Sequence, residues 1–195
     1  MKYADRLFDA FMYPLEAVAL NRRRRERMRA VHGTVLEIGA GTGANLPFYP
    51  WDRVKALHLS DLSITQSIRS FHAVNGTSLH HHEADVQCLP FQDGTFDSVV
   101  FTLVFCSVPD PSRGLAEIWR VTKPGGLLVF IEHVRPAGGA LRHAVEALNP
   151  AWHAFTGECN INRDTLAAIA GAGFAIESVR RGGRGLLVDG VARRV

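Results

Sequence analysis

Short apolar runs alternate along this chain with segments of mixed polarity, in the rhythm of strands followed by helices. Thr34 to Ile38 reads as a first strand, breaking at Gly39, Gly41 and Gly43, and Pro47 and Pro50 keep the following helix short. Val54 to Leu59 alternates as a second strand, after which Ser60 or Asp61 caps a helix reaching Ala73. Asn75-Gly76 marks a turn, and Leu79 to Glu83 is a third strand. Ser98 to Leu103 is a continuous β-branched and aromatic run, as a strand buried on both faces requires. Pro111 to Val121 reads as a helix, Pro124-Gly125-Gly126 as its stop, and Leu127 to Glu132 as a fifth strand. A longer insertion, Arg135 to Asn162, precedes a helix over Arg163 to Ala172, and Phe174 to Val179 with Leu186 to Ala192 make a closing antiparallel pair. The expected fold is α/β: a Rossmann-like, doubly wound, seven-stranded sheet, mostly parallel, with a C-terminal antiparallel strand, right-handed crossovers and helices on both faces.

The chemistry concentrates in Val35 to Gly43, VLEIGAGTG. A glycine turn at the end of a buried strand lets backbone approach a ligand closely. Two ligand classes use such a turn, and Gly39-x-Gly41-x-x-Ala44 also satisfies the dinucleotide pattern. Glu37, just ahead of the glycines, would repel a pyrophosphate and suits an ammonium or sulfonium charge. S-adenosylmethionine carries both. The dinucleotide reading also needs a second βαβαβ half, and the closing antiparallel pair takes its place.

Composition narrows the picture further. At 195 residues, 47% hydrophobic and 21% charged, residues 1–195 suit one domain. The net charge of +3 is uneven, because Met1 to Arg29 holds eight basic and four acidic residues and the remainder is close to neutral. A basic head on a neutral body argues against a nucleic-acid footprint. Leu7, Phe8, Phe11, Met12 and Leu15 form an apolar stripe ahead of Arg22 to Arg25. The stripe reads as a helical lid over residues 1–30 with a solvated arginine face, and the alternative is a weak peripheral contact with a membrane surface. Asp5, Asp9 and Glu16 interrupt the positive charge and favour the lid. No run approaches a membrane span, no secretory signal is visible, and Cys88, Cys106 and Cys159 lack a CxxC pair, so the expectation is a cytoplasmic protein with reduced thiols. His80-His81-His82 resembles metal spacing, but neighbours on a strand point to opposite faces, so no metal is expected.

These residues resemble the class I S-adenosylmethionine-dependent methyltransferases. After LEIGAGTG come Ala84-Asp85 with Leu89-Pro90-Phe91, then Asp93 to Val100, DGTFDSVV, and Lys123-Pro124-Gly125-Gly126, in the order the family has them. Cys106-Ser107-Val108, Glu132-His133, Asn149 to His153 (NPAWH) and Cys159 to Asp164 (CNINRD) are similar to the subgroup whose animal members methylate thiols, and bacterial relatives with the same core methylate phospholipids and quinones. The membrane anchor of the animal relatives is not carried over.

The resemblance implies a cofactor site of Glu37, Gly39, Ala40, Gly41, Gly43, Asn45 and Leu46, with Asp85, Val86, Thr102 and Leu103. The acid that bridges the ribose hydroxyls is matched by His58, beside Leu59, with Asp61 three residues later; either His58 makes one contact or Asp61 reaches in from the helix start. On the acceptor side stand Phe105, His133, Trp152 and His153, with Phe8, Phe11 and Tyr13 closing over the substrate, and His133 is the candidate base or acceptor orienter. The implied activity is methyl transfer to a small acceptor, a thiol first, with S-adenosylhomocysteine as product. The alternatives are a phospholipid or quinone acceptor at the membrane surface, and a protein that binds the cofactor without catalysis. A monomer or homodimer is expected.

Overall fold

The computed structural model describes residues 20–72, 74–156 and 159–195, so the expectations for Leu7, Phe8, Phe11, Met12, Tyr13 and Leu15 lie outside the described residues. One sheet of seven strands organises the rest: β1 (Gly33–Ile38), β2 (Val54–Asp61), β3 (Ser78–Glu83), β4 (Phe96–Thr102), β5 (Thr122–His133), β6 (Phe174–Gly182) and β7 (Leu187–Arg194). Their order is β3-β2-β1-β4-β5-β7-β6. The pairs from β3 through β5 are parallel, and β7 runs antiparallel to both its neighbours. The expected fold class is the observed one.

The central strands are largely apolar because both faces of the sheet are covered. Leu36 and Ile38 of β1, Val99 and Phe101 of β4, and Leu128 and Phe130 of β5 belong to one buried cluster. Their sequence neighbours Val35, Val100 and Val129 belong to the other. The first cluster is closed by α3 (Pro111–Val121), which presents Leu115, Ile118 and Val121, and by Ile169 of α5 (Thr165–Gly171). Asp110 caps α3 by accepting the N–H groups of Ser112 and Arg113, and Asp164 caps α5 through Ala167.

Several boundaries differ from expectation. β2 continues through Ser60 and Asp61 because its parallel register with β1 persists to Ile38 opposite Ser60. Neither residue caps a helix; Thr65 caps the single turn α2 (Gln66–Arg69). The insertion 135–162 contains an 18-residue helix, α4 (Gly139–Thr156), which holds Pro150 and buries only Val145 and Asn149. Among the described residues no helix is long and apolar enough to cross a membrane.

The arginine run is solvated only in part: Arg22 and Arg25 are exposed, but the others turn inward. On α1 (Asn21–Met28), Arg24 is buried, and Arg23 and Arg27 reach the fully buried Asp189 of β7. Arg180 of β6 donates to the same carboxylate at 3.2 Å. Three guanidinium groups thus repay the desolvation of one acid and fix α1 against the far end of the sheet. Asp189→Ala leaves Arg23 and Arg27 without their anion, while Arg180 keeps Glu26. Urea denaturation is expected to show a loss of about 3 kcal/mol, at the lower end for a broken buried pair because the arginines keep some solvent.

Candidate functional site

The carboxyl ends of β1, β2 and β4, with the segments that follow them, surround a cavity of about 910 Å³. That is within the usual size of a small-molecule site, and it lies beside β1 and β4, where the strand order reverses. The glycine loop forms one wall. Gly39, Gly41 and Gly43 all have left-handed φ, from 55 to 86°. A Cβ on Gly39 would collide with Val104, whereas one on Gly41 would meet only the Gly39 carbonyl, at 3.9 Å, and would otherwise enter open space. Gly41 therefore leaves room for a ligand against bare backbone. The loop is held from outside: Ser60 accepts the N–H groups of Gly39 and Ala40, Asp61 Oδ2 accepts that of Gly41 at 2.9 Å, and Thr65 donates to the Gly41 carbonyl at 2.8 Å.

Glu37 lies beneath this loop, 1% exposed yet part of the cavity lining. Tyr49 donates its hydroxyl to Oε2 at 2.7 Å, and Asn45 Nδ2 donates to Oε1 at 2.9 Å. Asn45 also bonds Arg24 at 3.0 Å and Thr102 at 3.1 Å, so one amide joins α1, β1 and β4 at the cavity floor. Burial raises the Glu37 pKa from 4.5 to about 7, against the opposing pull of these two hydrogen bonds and of the Arg24 charge. A buried acid that protonates near neutrality is poised to ionise fully when a cation arrives.

Of the expected cofactor residues, Glu37, Gly39, Ala40, Gly41, Asn45, Asp61, Asp85, Val86, Thr102 and Leu103 line the cavity. Leu103 has φ +55°, a backbone conformation rare outside glycine, and its N–H bonds the Ile131 carbonyl at 2.8 Å. Asp85 takes both the backbone and side-chain amides of Gln87. Gly43, Leu46 and Leu59 lie behind the wall: Leu46 and Leu59 are core, and a Cβ on Gly43 would press on Leu46 and Ile68.

His58 is a correction. It faces away from the cavity, with its ring 4.4 Å from that of His80 and 5.1 Å from that of His82, and its Nδ1 lies 3.0 Å from His82 Nε2. Burial, with the adjacent imidazoles, lowers its pKa to about 4, so it packs as a neutral ring against Phe91 and Phe96. Asp61, carried to the cavity by the longer strand, is the acid at that edge.

The acceptor-side expectations divide as well. His153 lines the cavity, whereas Phe105, His133 and Trp152 do not. Phe105 is buried in the core, its ring 4.6 Å from that of Phe101. Residues not foreseen from sequence complete the wall, among them Arg24, Ser107, Asn160 and Arg163. Asn160 donates its backbone N–H to the Cys106 carbonyl at 2.8 Å and accepts from Asn149 at 3.2 Å. Arg163 donates to the carbonyls of Phe105 and Val108. The NPAWH and CNINRD segments thus work as a clasp on the loop after β4.

A family model described as a methyltransferase domain matches residues 36–130. Over 156 residues the chain is 32% identical to the Homo sapiens thiol S-methyltransferase TMT1A, covering 73% of this chain and 60% of that protein. It is 34% identical to a phosphatidylethanolamine N-methyltransferase of Cereibacter sphaeroides, covering 65% of this chain and 64% of that one. The chain thus matches a methyltransferase domain and is similar to S-adenosylmethionine-dependent methyltransferases. It spans about 60% of the length of the thiol S-methyltransferases it matches. A solved S-adenosylmethionine-dependent methyltransferase from Mesorhizobium loti shares the fold, with a TM-score of 0.66 at 22% identity over 88% of this chain and 98% of that one.

Behind the cavity wall formed by Ser107 and Asn160 lies a second polar group. The fully buried Glu132 accepts the N–H groups of Val104, Phe105 and His133 at 2.6 to 2.9 Å. His133 Nδ1 lies 4.0 Å from the Cys159 thiol. The contact between the two thiols lowers the Cys159 pKa and raises that of Cys106, which its own burial pushes up further.

The Glu37 shift has a measurable cost. Glu37 is protonated in both folded and unfolded chains below pH 4.5, and between 4.5 and about 7 only the folded chain keeps the proton, so its contribution to stability falls as pH rises through that window. The full penalty corresponds to about 3 kcal/mol. Glu37→Gln is expected to gain about 2 kcal/mol on wild type between pH 5 and pH 8 in urea denaturation without ligand, and a pH-independent difference would refute the assignment.

Proposed function

We propose that this chain transfers a methyl group from S-adenosylmethionine to a small thiol. The observation that carries the reading is the buried Glu37 carboxylate beneath a glycine loop that leaves ligand space at Gly41. An acidic floor under bare backbone suits a cationic ligand and opposes a pyrophosphate. When bound, S-adenosylmethionine supplies a methyl carbon on a positively charged sulfur. Glu37, Asn45, Thr102 and Leu103 would hold its amino-acid part, the Gly39–Gly41 backbone would lie along it, and Asp61 would accept the ribose hydroxyls. The Asp61 carboxylate keeps acceptor capacity beyond the Gly41 N–H it already binds. Asp85 and Val86 would border the adenine.

The acceptor follows from what the cavity offers. Among the described residues His153 is the one imidazole on its wall. A thiol of pKa ~8.5 is already a few per cent thiolate at neutral pH and needs little more than alignment and exclusion of water. His153, Asn160 and Arg163 would form the acceptor wall. The relatives named thiol S-methyltransferases support this choice. The free cysteines accord with a reducing cytoplasm, and residues 1–195 are read as one domain.

A second reading, a phospholipid or quinone acceptor, draws on α4. Leu148 and Phe155 stand 62% and 77% exposed on the helix that also brings His153 to the cavity. Relatives named phosphatidylethanolamine N-methyltransferase and demethylmenaquinone methyltransferase accord with it. Co-sedimentation with phospholipid vesicles, lost in Phe155→Ser, would favour this acceptor over a free thiol.

Calorimetric titration with S-adenosylmethionine and with NADH tests the cofactor. Binding of the first alone is expected, with affinity rising about tenfold from pH 6 to pH 8 as Glu37 ionises, and lost in Glu37→Ala. Unchanged affinity in that variant would overturn the site. Turnover of a small thiol, with no turnover of lipid or quinone, would establish the acceptor.

A further inference from the structure

Among the described residues, Cys106, His133 and Cys159 form a group whose ligand-type atoms all lie within 4.8 Å of one another. They come from three separate segments: the loop after β4, the end of β5 and the stretch after α4. None of them lines the cavity, so the proposed methyl transfer leaves them unused. Cys106 and Cys159 are buried, at 3% and 8% exposure.

We propose that Cys106, His133 and Cys159 bind a zinc ion. Tetrahedral zinc holds sulfur at about 2.3 Å and imidazole nitrogen at about 2.0 Å, which sets its ligand atoms roughly 3.5 to 3.8 Å apart. The 4.0 Å between Cys159 Sγ and His133 Nδ1 is already close to that spacing. Small side-chain rotations bring the three donors together, with no movement of the strands. Two thiolates and one imidazole are soft and borderline donors that favour zinc over magnesium or calcium. As thiolates, the two cysteines cancel the dipositive charge, so a neutral centre occupies the buried space, and the thiol protons leave to solvent on binding.

The supporting shell is built to hold these donors. Glu132 fixes the backbone of His133 and of Phe105, the residue before Cys106. Asn160, the residue after Cys159, donates both its backbone and side-chain N–H groups to the Cys106 carbonyl. Each ligand-bearing segment is therefore tied to another by a polar bond, as metal sites require of their surroundings. Three protein donors leave one tetrahedral position for water, the arrangement of an open zinc site and not of a closed structural one. Ser107 and Asn160, each adjacent in sequence to a ligand, line the cavity, so the ion would sit directly behind the acceptor wall.

The test uses the whole chain, stripped with a chelator and kept reduced with a phosphine. Titration with zinc is expected to give one site with a dissociation constant below about 1 µM. Titration with cobalt, a spectroscopic stand-in, should give a thiolate-to-metal charge-transfer band in the near ultraviolet and intense tetrahedral d–d bands. Cys106→Ser and Cys159→Ser should each weaken zinc binding by about 100-fold or more, and Cys88→Ser, at an exposed thiol, should not. Reduced wild-type protein that takes up no zinc, or that binds cobalt without a thiolate band, overturns the site, and so does binding unchanged in both serine variants. The wild-type cobalt spectrum decides the matter even if the variants fold poorly. S-adenosylmethionine binding, measured on the same samples, reports separately on the methyltransferase reading.

Discussion

The carboxylate of Glu132 is the constraint on which the working end of the sheet depends. It is fully buried at the end of β5, and burial pushes its pKa up, offset in part by the nearby His133 and by three backbone N–H groups. Two of those donors, Val104 and Phe105, belong to the chain leaving β4. Holding them bends that chain immediately after Leu103, whose left-handed backbone is the local cost of the turn. The bend sends Phe105 into the core and sets Val104 where a Cβ on Gly39 would stand, so a glycine is required across the cavity mouth. Without the buried acid, neither the loop after β4 nor the clasp made by Asn160 and Arg163 has a fixed partner.

Glu37 shows the complementary side of the same physics. Its neighbours supply enough hydrogen bonds to keep it in place, but too little solvation to keep it fully charged near neutrality. The fold carries this cost at its centre, close to Arg24, which reaches in from α1 through Asn45. Such a site exchanges stability of the empty protein for strength toward a cation.

Much of this architecture was legible in the sequence because strands buried on both faces announce themselves as unbroken apolar runs, and because the glycine turn needs residues that nothing else supplies. The choice between His58 and Asp61, left open by the sequence, turns on where β2 ends. Apolar continuity ends at Leu59, but the hydrogen-bonded ladder with β1 does not, and two more residues carry Asp61 to the cavity while His58 stays among His80 and His82. The helix α4 was hidden by Asn149 and Pro150, one of them a buried hydrogen-bonding residue and the other tolerated within the helix. Arg23 was read as solvated along with the exposed Arg22 and Arg25 because its counter-ion, Asp189, lies at the far end of the chain. For the same reason no spacing motif flagged Cys106, His133 and Cys159, which only the topology brings together.

The strand order also sets a sequence of events. β6 touches the sheet only through β7, and β7 follows it in the chain. Until β7 slots between β5 and β6, β5 presents an unpaired edge and β6 is a strand with nothing to join. The half that carries the glycine loop is under no such delay, since β1, β2, β3 and β4 find their neighbours among themselves. A nascent chain can therefore assemble its ligand-binding half first. Its exposed edge at β5 is then where chaperones or misplaced strands from other chains would find purchase.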